Sequence, residues 1–316
     1  MIGYEESNPS DVDINQAIKQ FSRFIPNITK SQINFLYHGT YNVFEVKTKY
    51  IFRVPDRFFR NEKGVKLIQK ETRILNFLKK YVSILIPQPS FLSLNEDFPF
   101  IGYEKIPGVS LSRVFSMVDI SYKRKIAEQV ASFLNVLHSK SICKKFTELF
   151  QIREILRGDF YKQYWIKKLK RLKRIVFSEI ESFEQRWLEN IFEDFLSNKE
   201  NFRFSPNLVH GDFDTSNILV NTDTNLPEIT GIIDFEECSI FDPACDLLFF
   251  DEGPEFLNTL ILNYNYSEDP SLHSRMKFLY CRTCTEYLEF GIDHDRIGMI
   301  EAGKAMLKKN MEKFPV

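Results

Sequence analysis

Residues 208–237 read LVHGDFDTSNILVNTDTNLPEITGIIDFEE and carry His210, Asp212, Asn217 and Asp234. Asp, Asn and Gly are favoured in turns on conformational grounds alone. The pattern here is tighter than a turn requires: H-x-D-x-x-x-x-N, then an apolar run, then I-I-D-F. These residue types suit phosphoryl transfer. That reaction asks a protein for a carboxylate that orients the attacking hydroxyl and receives its proton, and for hard oxygen ligands that hold Mg²⁺ on the phosphates. Asp212 fits the first role, and Asn217 and Asp234 fit the second. His210 reads as a brace for the loop rather than a group that titrates in the reaction.

Such a constellation needs elements to hold it. The apolar pieces 218–220 and 230–233 flank a polar turn at 221–225, which predicts a hairpin. A hairpin folds back on itself, so Asn217 and Asp234 come side by side although 17 positions separate them. Upstream, apolar spacing predicts a helix over 11–25, ended by Pro26 and Asn27, with Asp or Ser as its cap. Short strand-like runs follow at 32–37, 42–47 and 50–54, the last two joined by a turn at Thr48-Lys49. An amphipathic helix is predicted over 65–81, then strands at 91–94 and 100–104. Past Pro107-Gly108 the pattern turns helical, with an amphipathic stretch at 122–139 and long charged helices within 146–197. A sheet-rich segment, 1–105, thus precedes a helix-rich one, 106–316, across a short link at 106–108. That is an α+β arrangement in two lobes, and a cleft between lobes is a usual ligand site.

Composition excludes several classes. The 316 residues are 43% hydrophobic and 27% charged, an ordinary globular balance with length for a sizeable core. Phe is abundant, at 31 residues. With 42 basic and 43 acidic residues and a net charge of −1, no whole-chain field points to nucleic acid or a membrane surface. The basic stretch 162–174 reads as a solvated helix face, because Glu179, Glu181 and Glu184 follow at once. The first residues, MIGYEESNPSDVD, lack the basic start and apolar run of a signal peptide, and no apolar stretch approaches the ~20 residues that span a bilayer. Five cysteines without framework spacing fit a reducing cytoplasm, the expected location. Cys281-Arg-Thr-Cys284 is a lone CxxC without a second pair, so buried thiols are expected there and not a zinc site.

The H-x-D-x-x-x-x-N and I-I-D-F motifs, with their hairpin, resemble those of the aminoglycoside phosphotransferase family, and most closely the branch that modifies the 2″-hydroxyl of aminoglycosides. The resemblance implies an α+β, two-lobed protein-kinase-like fold, with a small antiparallel-sheet N-lobe and a larger, mainly helical C-lobe. Residues 1–105 would bind nucleotide, and 106–316 would carry catalysis and substrate binding. It implies ATP or GTP as the phosphate donor, with Mg²⁺. Gly39-Thr40-Tyr41-Asn42-Val43-Phe44-Glu45-Val46 is similar to the family's phosphate-covering hairpin, with one glycine in place of three, and would bring Thr40 and Asn42 to the nucleotide. Arg53 stands where the family carries a phosphate-binding lysine, and Glu71 matches the glutamate that pairs with it. Arginine keeps the charge but has a larger, differently shaped head. Residues 100–108 resemble the family's strand and hinge, whose backbone at Glu104 and Ile106 would meet the purine edge. Tyr103 would either guard the back of that pocket, which favours GTP, or fill core. Asp242 and Asp246 would brace the catalytic loop or cap a helix start.

An aminoglycoside is cationic and calls for carboxylates. Asp214, Glu236, Glu237, Asp251 and Glu252 cluster around the motif in sequence, and Glu286 and Glu289 share one face of a late helix. Each reads as a substrate contact or as a solvated surface charge. The expected enzyme is a monomeric small-molecule kinase whose acceptor is a cationic hydroxyl compound. No nucleic-acid or membrane partner is expected. Fold does not determine acceptor, so choline, a macrolide or homoserine remains an alternative acceptor. Arg53 alone supports a third reading, a catalytically inactive nucleotide-binding protein.

Overall fold

The computed structural model describes residues 10–221, 227–266 and 268–315. Packing divides the chain into two compact units. One holds the residues up to Met117 together with Thr215–Glu237, and the other holds Val118–Asp214 with the residues from Cys238 onward. Asn217 and Asp234 therefore belong to the first unit, and Asp212 to the second.

The first unit opens with α1 (Ile14–Phe21), whose orphan amides at Asn15 and Gln16 are taken by the Asp13 carboxylate. The helix stops short of the expected residue 25, and the chain then turns through Asn27 at φ 58°. Then come β1 (Ile33–His38), β2 (Tyr41–Val46), β3 (Tyr50–Pro55), α2 (Glu62–Leu78), β4 (Phe91–Ser93) and β5 (Phe100–Glu104). The strands form one antiparallel sheet in the order β1-β2-β3-β5-β4. Lys47 and Thr48 turn the chain between β2 and β3, both at positive φ (52° and 55°). Tight hairpins need that geometry, which Gly and Asn adopt more readily. Helix α2 starts before the predicted residue 65 because the Asn61 side chain accepts from the Lys63 amide at 2.8 Å. Phe is prominent in this core: Phe21 stacks on Phe52 at 4.1 Å and meets Phe100 edge-on at 5.3 Å.

A second sheet of this unit takes β6 (Val109–Ser110), which leads into α3 (Leu111–Val114). Beyond β7 (Asn207–Val209) of the other unit, it also takes the hairpin β8 (Ile218–Asn221) and β9 (Glu228–Ile232). The register pairs Ile218 with Ile232. Most of the expected 221–225 turn lies outside the described residues. Gly231 is required by close approach: a Cβ there would fall 2.5 Å from Ile106 Cγ2 and 3.0 Å from the Leu85 carbonyl.

The second unit is mainly helical: α4 (Ile120–Leu137), α5 (Lys140–Phe150), α6 (Gly158–Ile175), α7 (Ser182–Ser197), α8 (Pro254–Leu262), α9 (Leu272–Asp293) and α10 (Ile297–Lys313). β7 pairs antiparallel with β10 (Ser239–Phe241), and a 3-10 turn, Pro243–Leu247, follows. Phe195 stacks on Phe278 at 3.7 Å, joining α7 to α9, and Trp165 of α6 meets Phe278 edge-on. The basic stretch of α6 is used within the fold, since Lys168 and Arg171 both pair with Glu289 of α9. Cys281 and Cys284 are fully buried in α9. The sheet-rich and helix-rich α+β composition matches expectation. Among the described residues, no helix is long and apolar enough to cross a membrane.

Candidate active site

Arg53 organises the candidate residues of the first unit. It lies at the centre of the sheet on β3 and is almost fully buried. One end of its guanidinium donates from Nη1 to Glu71 Oε1 of α2 at 2.5 Å. The other end donates from Nη2 to Asp234 Oδ1 at 2.7 Å and to Glu236 Oε2 at 3.0 Å. Its flat face covers the Tyr41 ring, 4.2 Å from the centroid. Burial works against the charge, but the fields of Asp234, Glu71 and Glu236 outweigh it and raise the Arg53 pKa. Burial, then the Asp234 charge, pushes Glu236 well above the usual carboxylate range, with Arg53 pulling back. Burial likewise raises Glu71, against Arg53.

Asn217 and Asp234 sit at the open end of the β8–β9 hairpin, where the Ile233 amide donates to the Asn217 carbonyl at 3.0 Å. Asp234 leaves the strand at φ 69°, in the left-handed region that Asp tolerates better than most residues. The donor set fits Mg²⁺, a hard ion that takes oxygen ligands. Asn217 and Asp234 supply such oxygens, and three carboxyl groups face a single guanidinium, an imbalance that a divalent cation relieves.

The other predicted nucleotide residues divide. Thr40 is exposed at the β1–β2 turn. Asn42 is fully buried, and its amide is engaged within the chain, accepting from Ser10 Oγ at 3.0 Å and donating to Asp11 Oδ1 at 2.5 Å. The Gly39 amide bonds to the Tyr41 carbonyl within the same turn. Tyr103 is buried on β5 opposite Ile51, and burial raises its hydroxyl pKa. Ile106 is buried, while Glu104 is exposed and pairs with Lys49 at 3.2 Å. A further cluster, Asp11, His38 and Asp56, brings ligand atoms within 4.8 Å of one another. His38 meets Asp56 at 2.6 Å and Asp11 is taken by Asn42, Arg57 and Arg60, so the cluster latches the N-terminal segment to the sheet.

In the second unit, β7 delivers the loop His210-Gly211-Asp212. Gly211 takes φ 93°, and Asp212 is exposed. The loop is held from below by Asp246, which has no solvent exposure. Its Oδ2 accepts from the His210 amide at 2.6 Å, and its Oδ1 from the Gly211 amide at 2.9 Å. His138 Nε2 lies 3.0 Å from Oδ2, and Tyr264 Oη lies 2.7 Å from His138 Nδ1. Burial raises the Tyr264 pKa, so that hydroxyl keeps its proton beside His138. Burial also tends to raise Asp246, but the hydrogen bond and charge of His138, the field of His210 and the Gly211 amide outweigh it and hold the carboxyl below its ordinary value. His210 is buried, its ring 5.2 Å from that of Phe213. Asp242 does different work: it caps the 3-10 turn through the Ala244 amide, accepts from Tyr161 at 3.0 Å and pairs with buried Arg275.

The acids expected to meet a cationic acceptor largely have partners from the chain itself. Glu289 pairs with Lys168 and Arg171, and Glu286 with Arg282. Asp251 accepts from Tyr280, Lys309 and Lys313. Glu236, expected on the substrate side, instead holds Arg53. Asp214 and Glu252 are half-buried, and Glu237 is exposed. Tyr41, His138, Tyr264 and Arg275 escaped the sequence reading. His138, Tyr264 and Arg275 act through partners on other elements, and no local motif marks them; Tyr41 lies within the 39–46 motif, but nothing there marks its ring as a support for Arg53 on the next strand.

The sheet bearing an arginine–glutamate pair beside an I-I-D hairpin, and the helical unit bearing an H-x-D loop, define a kinase-like phosphotransferase. A profile of the phosphotransferase enzyme family matches residues 32–277, and the chain belongs to that family. The structure is similar to APH(2″)-IIIa in complex with GDP and kanamycin, with a TM-score of 0.81 at 22% identity, over 94% of this chain and 99% of that one. It is also similar to aminoglycoside 2'-phosphotransferase-IIIa with GDP, with a TM-score of 0.83 at 21% identity over 96% and 99%. A third likeness is ADP-bound APH(2″)-Ib, with a TM-score of 0.62 at 21% identity over 94% and 97%. At these identities the likeness speaks to the fold.

Proposed function

We propose that this phosphotransferase moves the γ-phosphoryl group of ATP or GTP onto a hydroxyl of an aminoglycoside, at the 2″ position. The observation that carries the reading is the Asp246 clamp, which pins two consecutive loop amides immediately before exposed Asp212. Rigid support of that kind is what a proton acceptor needs in order to meet a hydroxyl in one orientation. Asp212 takes the acceptor's proton. Asn217 and Asp234 hold Mg²⁺, which when bound neutralises phosphate charge. Arg53, anchored by Glu71, orients the phosphates. Proteins of this fold occur in complexes with GDP and kanamycin, with gentamicin, and with streptomycin and ATP, which supports both the donor and the acceptor class. Buried Tyr103 favours GTP by its bulk. The enzyme works as a monomer in the cytoplasm, where nucleoside triphosphates are available.

The test is nucleoside-diphosphate release measured with ATP and with GTP across a panel of aminoglycosides, with the product's phosphate located by NMR. Phosphate on the 2″-hydroxyl is expected. Turnover only with choline, a macrolide or homoserine would overturn the acceptor assignment and keep the reaction. Nucleotide binding without turnover on any acceptor would overturn the reaction itself.

A further inference from the structure

Arg53 uses both ends of its guanidinium, and the two ends do different things. Nη1 is committed to Glu71, which only the protein interior surrounds. Nη2 is shared between Asp234, the proposed metal ligand, and Glu236. A lysine in this position offers a single point of charge and cannot divide its contacts along a fork. Glu236 is fixed from its other side too, because Lys70 Nζ donates to its carbonyl at 2.9 Å.

We infer that Glu236 is a positioning residue that keeps Arg53 paired when Asp234 turns to the metal, so that Arg53 and Glu236 work as a matched pair. The inference rests on the phosphotransfer reading above. A buried guanidinium N–H left without an acceptor is costly. Were Asp234 the sole partner of Nη2, Arg53 would hold it and compete with Mg²⁺. With Glu236 beside it, Nη2 keeps one carboxylate throughout, and Asp234 is released at little cost. Glu236 touches neither nucleotide nor acceptor in this role. It acts through Arg53.

The experiment is calorimetric titration of the full chain with a non-hydrolysable nucleoside triphosphate over a series of Mg²⁺ concentrations. The proteins are wild type, E236Q, R53K and the R53K/E236Q double variant. E236Q is expected to raise the Mg²⁺ concentration at half-saturation by at least about fivefold, the lower end of typical coupling between sites. In the R53K background the same change is expected to shift it less than about twofold, because the route through the guanidinium fork is gone. A simple loss of negative field would shift both backgrounds equally, and that result overturns the inference, as does an unshifted E236Q. E236D covers the case in which E236Q fails to fold. It keeps the charge and withdraws the carboxylate from Nη2, so the inference expects the same direction of shift, and no shift refutes it. Wild-type protein that binds no nucleotide at any Mg²⁺ concentration overturns the phosphotransfer reading and this inference with it. Normal wild-type binding with equal shifts in both backgrounds overturns this inference alone.

Discussion

Replacing Asp246 with Asn tests whether the loop clamp governs stability and turnover together. The carboxylate takes four donors in a site closed to solvent: the His210 amide at 2.6 Å, the Gly211 amide at 2.9 Å, His138 Nε2 at 3.0 Å and, more weakly, Cys245 Sγ at 3.5 Å. Asn has the same shape but one acceptor oxygen. If that oxygen keeps the His210 and His138 bonds, the new NH₂ faces the Gly211 amide, donor against donor. Hydrogen bonds to a charged group contribute ~1.5–3 kcal/mol each, and breaking a buried charged cluster costs ~3–5 kcal/mol. At ~2–4 °C per kcal/mol, D246N should melt about 6–20 °C below wild type. The loop also loses its fixed geometry just before Asp212, and a misplacement of ~1 Å costs about 100-fold in rate. Thermal melts and the coupled assay read the two effects. The pH dependence supplies a sign. Asp246 has a depressed folded pKa, so its contribution is complete above the unfolded value of ~3.9 and is lost as pH falls through the lower folded value. The melting gap between wild type and D246N should therefore hold steady across neutral pH and close below about pH 4. A D246N protein that melts within about 2 °C of wild type at neutral pH, with unchanged turnover, would refute the clamp.

Asp212→Ala should lower turnover by ~10²–10⁴-fold while nucleotide affinity, read by calorimetry, stays put; undiminished turnover would remove Asp212 from the chemistry. Arg275→Met should cost ~3–5 kcal/mol in denaturant melts, because it leaves the buried Asp242 carboxylate without its cation. Native protein treated with a thiol reagent should label at Cys143 first, since Cys238, Cys245, Cys281 and Cys284 are buried and burial pushes the Cys281 thiol up to about 12. Fast labelling at Cys281 or Cys284 would reopen a redox or metal role for the CxxC pair.

Local pattern carried much of the fold. Strand β5 falls on 100–104 as read, because a short, mostly apolar run bounded by turn residues marks a buried strand without help from elsewhere. Helix ends were less legible: α2 starts at Glu62 because Asn61 caps it, and caps are single residues outside the apolar period. The neighbourhood of Asn217 and Asp234 followed from hairpin logic, and the Arg53–Glu71 pair from resemblance. Sequence left Asp242 and Asp246 with the same two readings. Geometry separates them, since one takes Arg275 and the turn amide and the other takes the loop. What sequence could not show is partner choice among charged side chains. Arg53 and Glu236 stand 183 positions apart, and Lys168 and Glu289 stand 121 apart. Nothing local distinguishes an acid that waits for substrate from one already taken.

That pairing bears on how an acceptor is selected. Glu289 is nearly buried between Lys168 and Arg171, Glu286 is bound to Arg282, and Asp251 to two lysines and a tyrosine. An acceptor ammonium that takes one of these acids exchanges ion pair for ion pair, and the released lysine or arginine must find solvent. For a molecule with one positive charge the exchange yields little, since both pairs suffer similar desolvation. A polyammonium differs: its first contact raises the effective concentration of the rest of its charges, and later exchanges become intramolecular. The internal ion pairs thus weaken binding of every cation yet weaken it least for one with several charges. Were these late acids to meet the proposed acceptor, paired as they are, they would still favour a polyammonium over a singly charged metabolite.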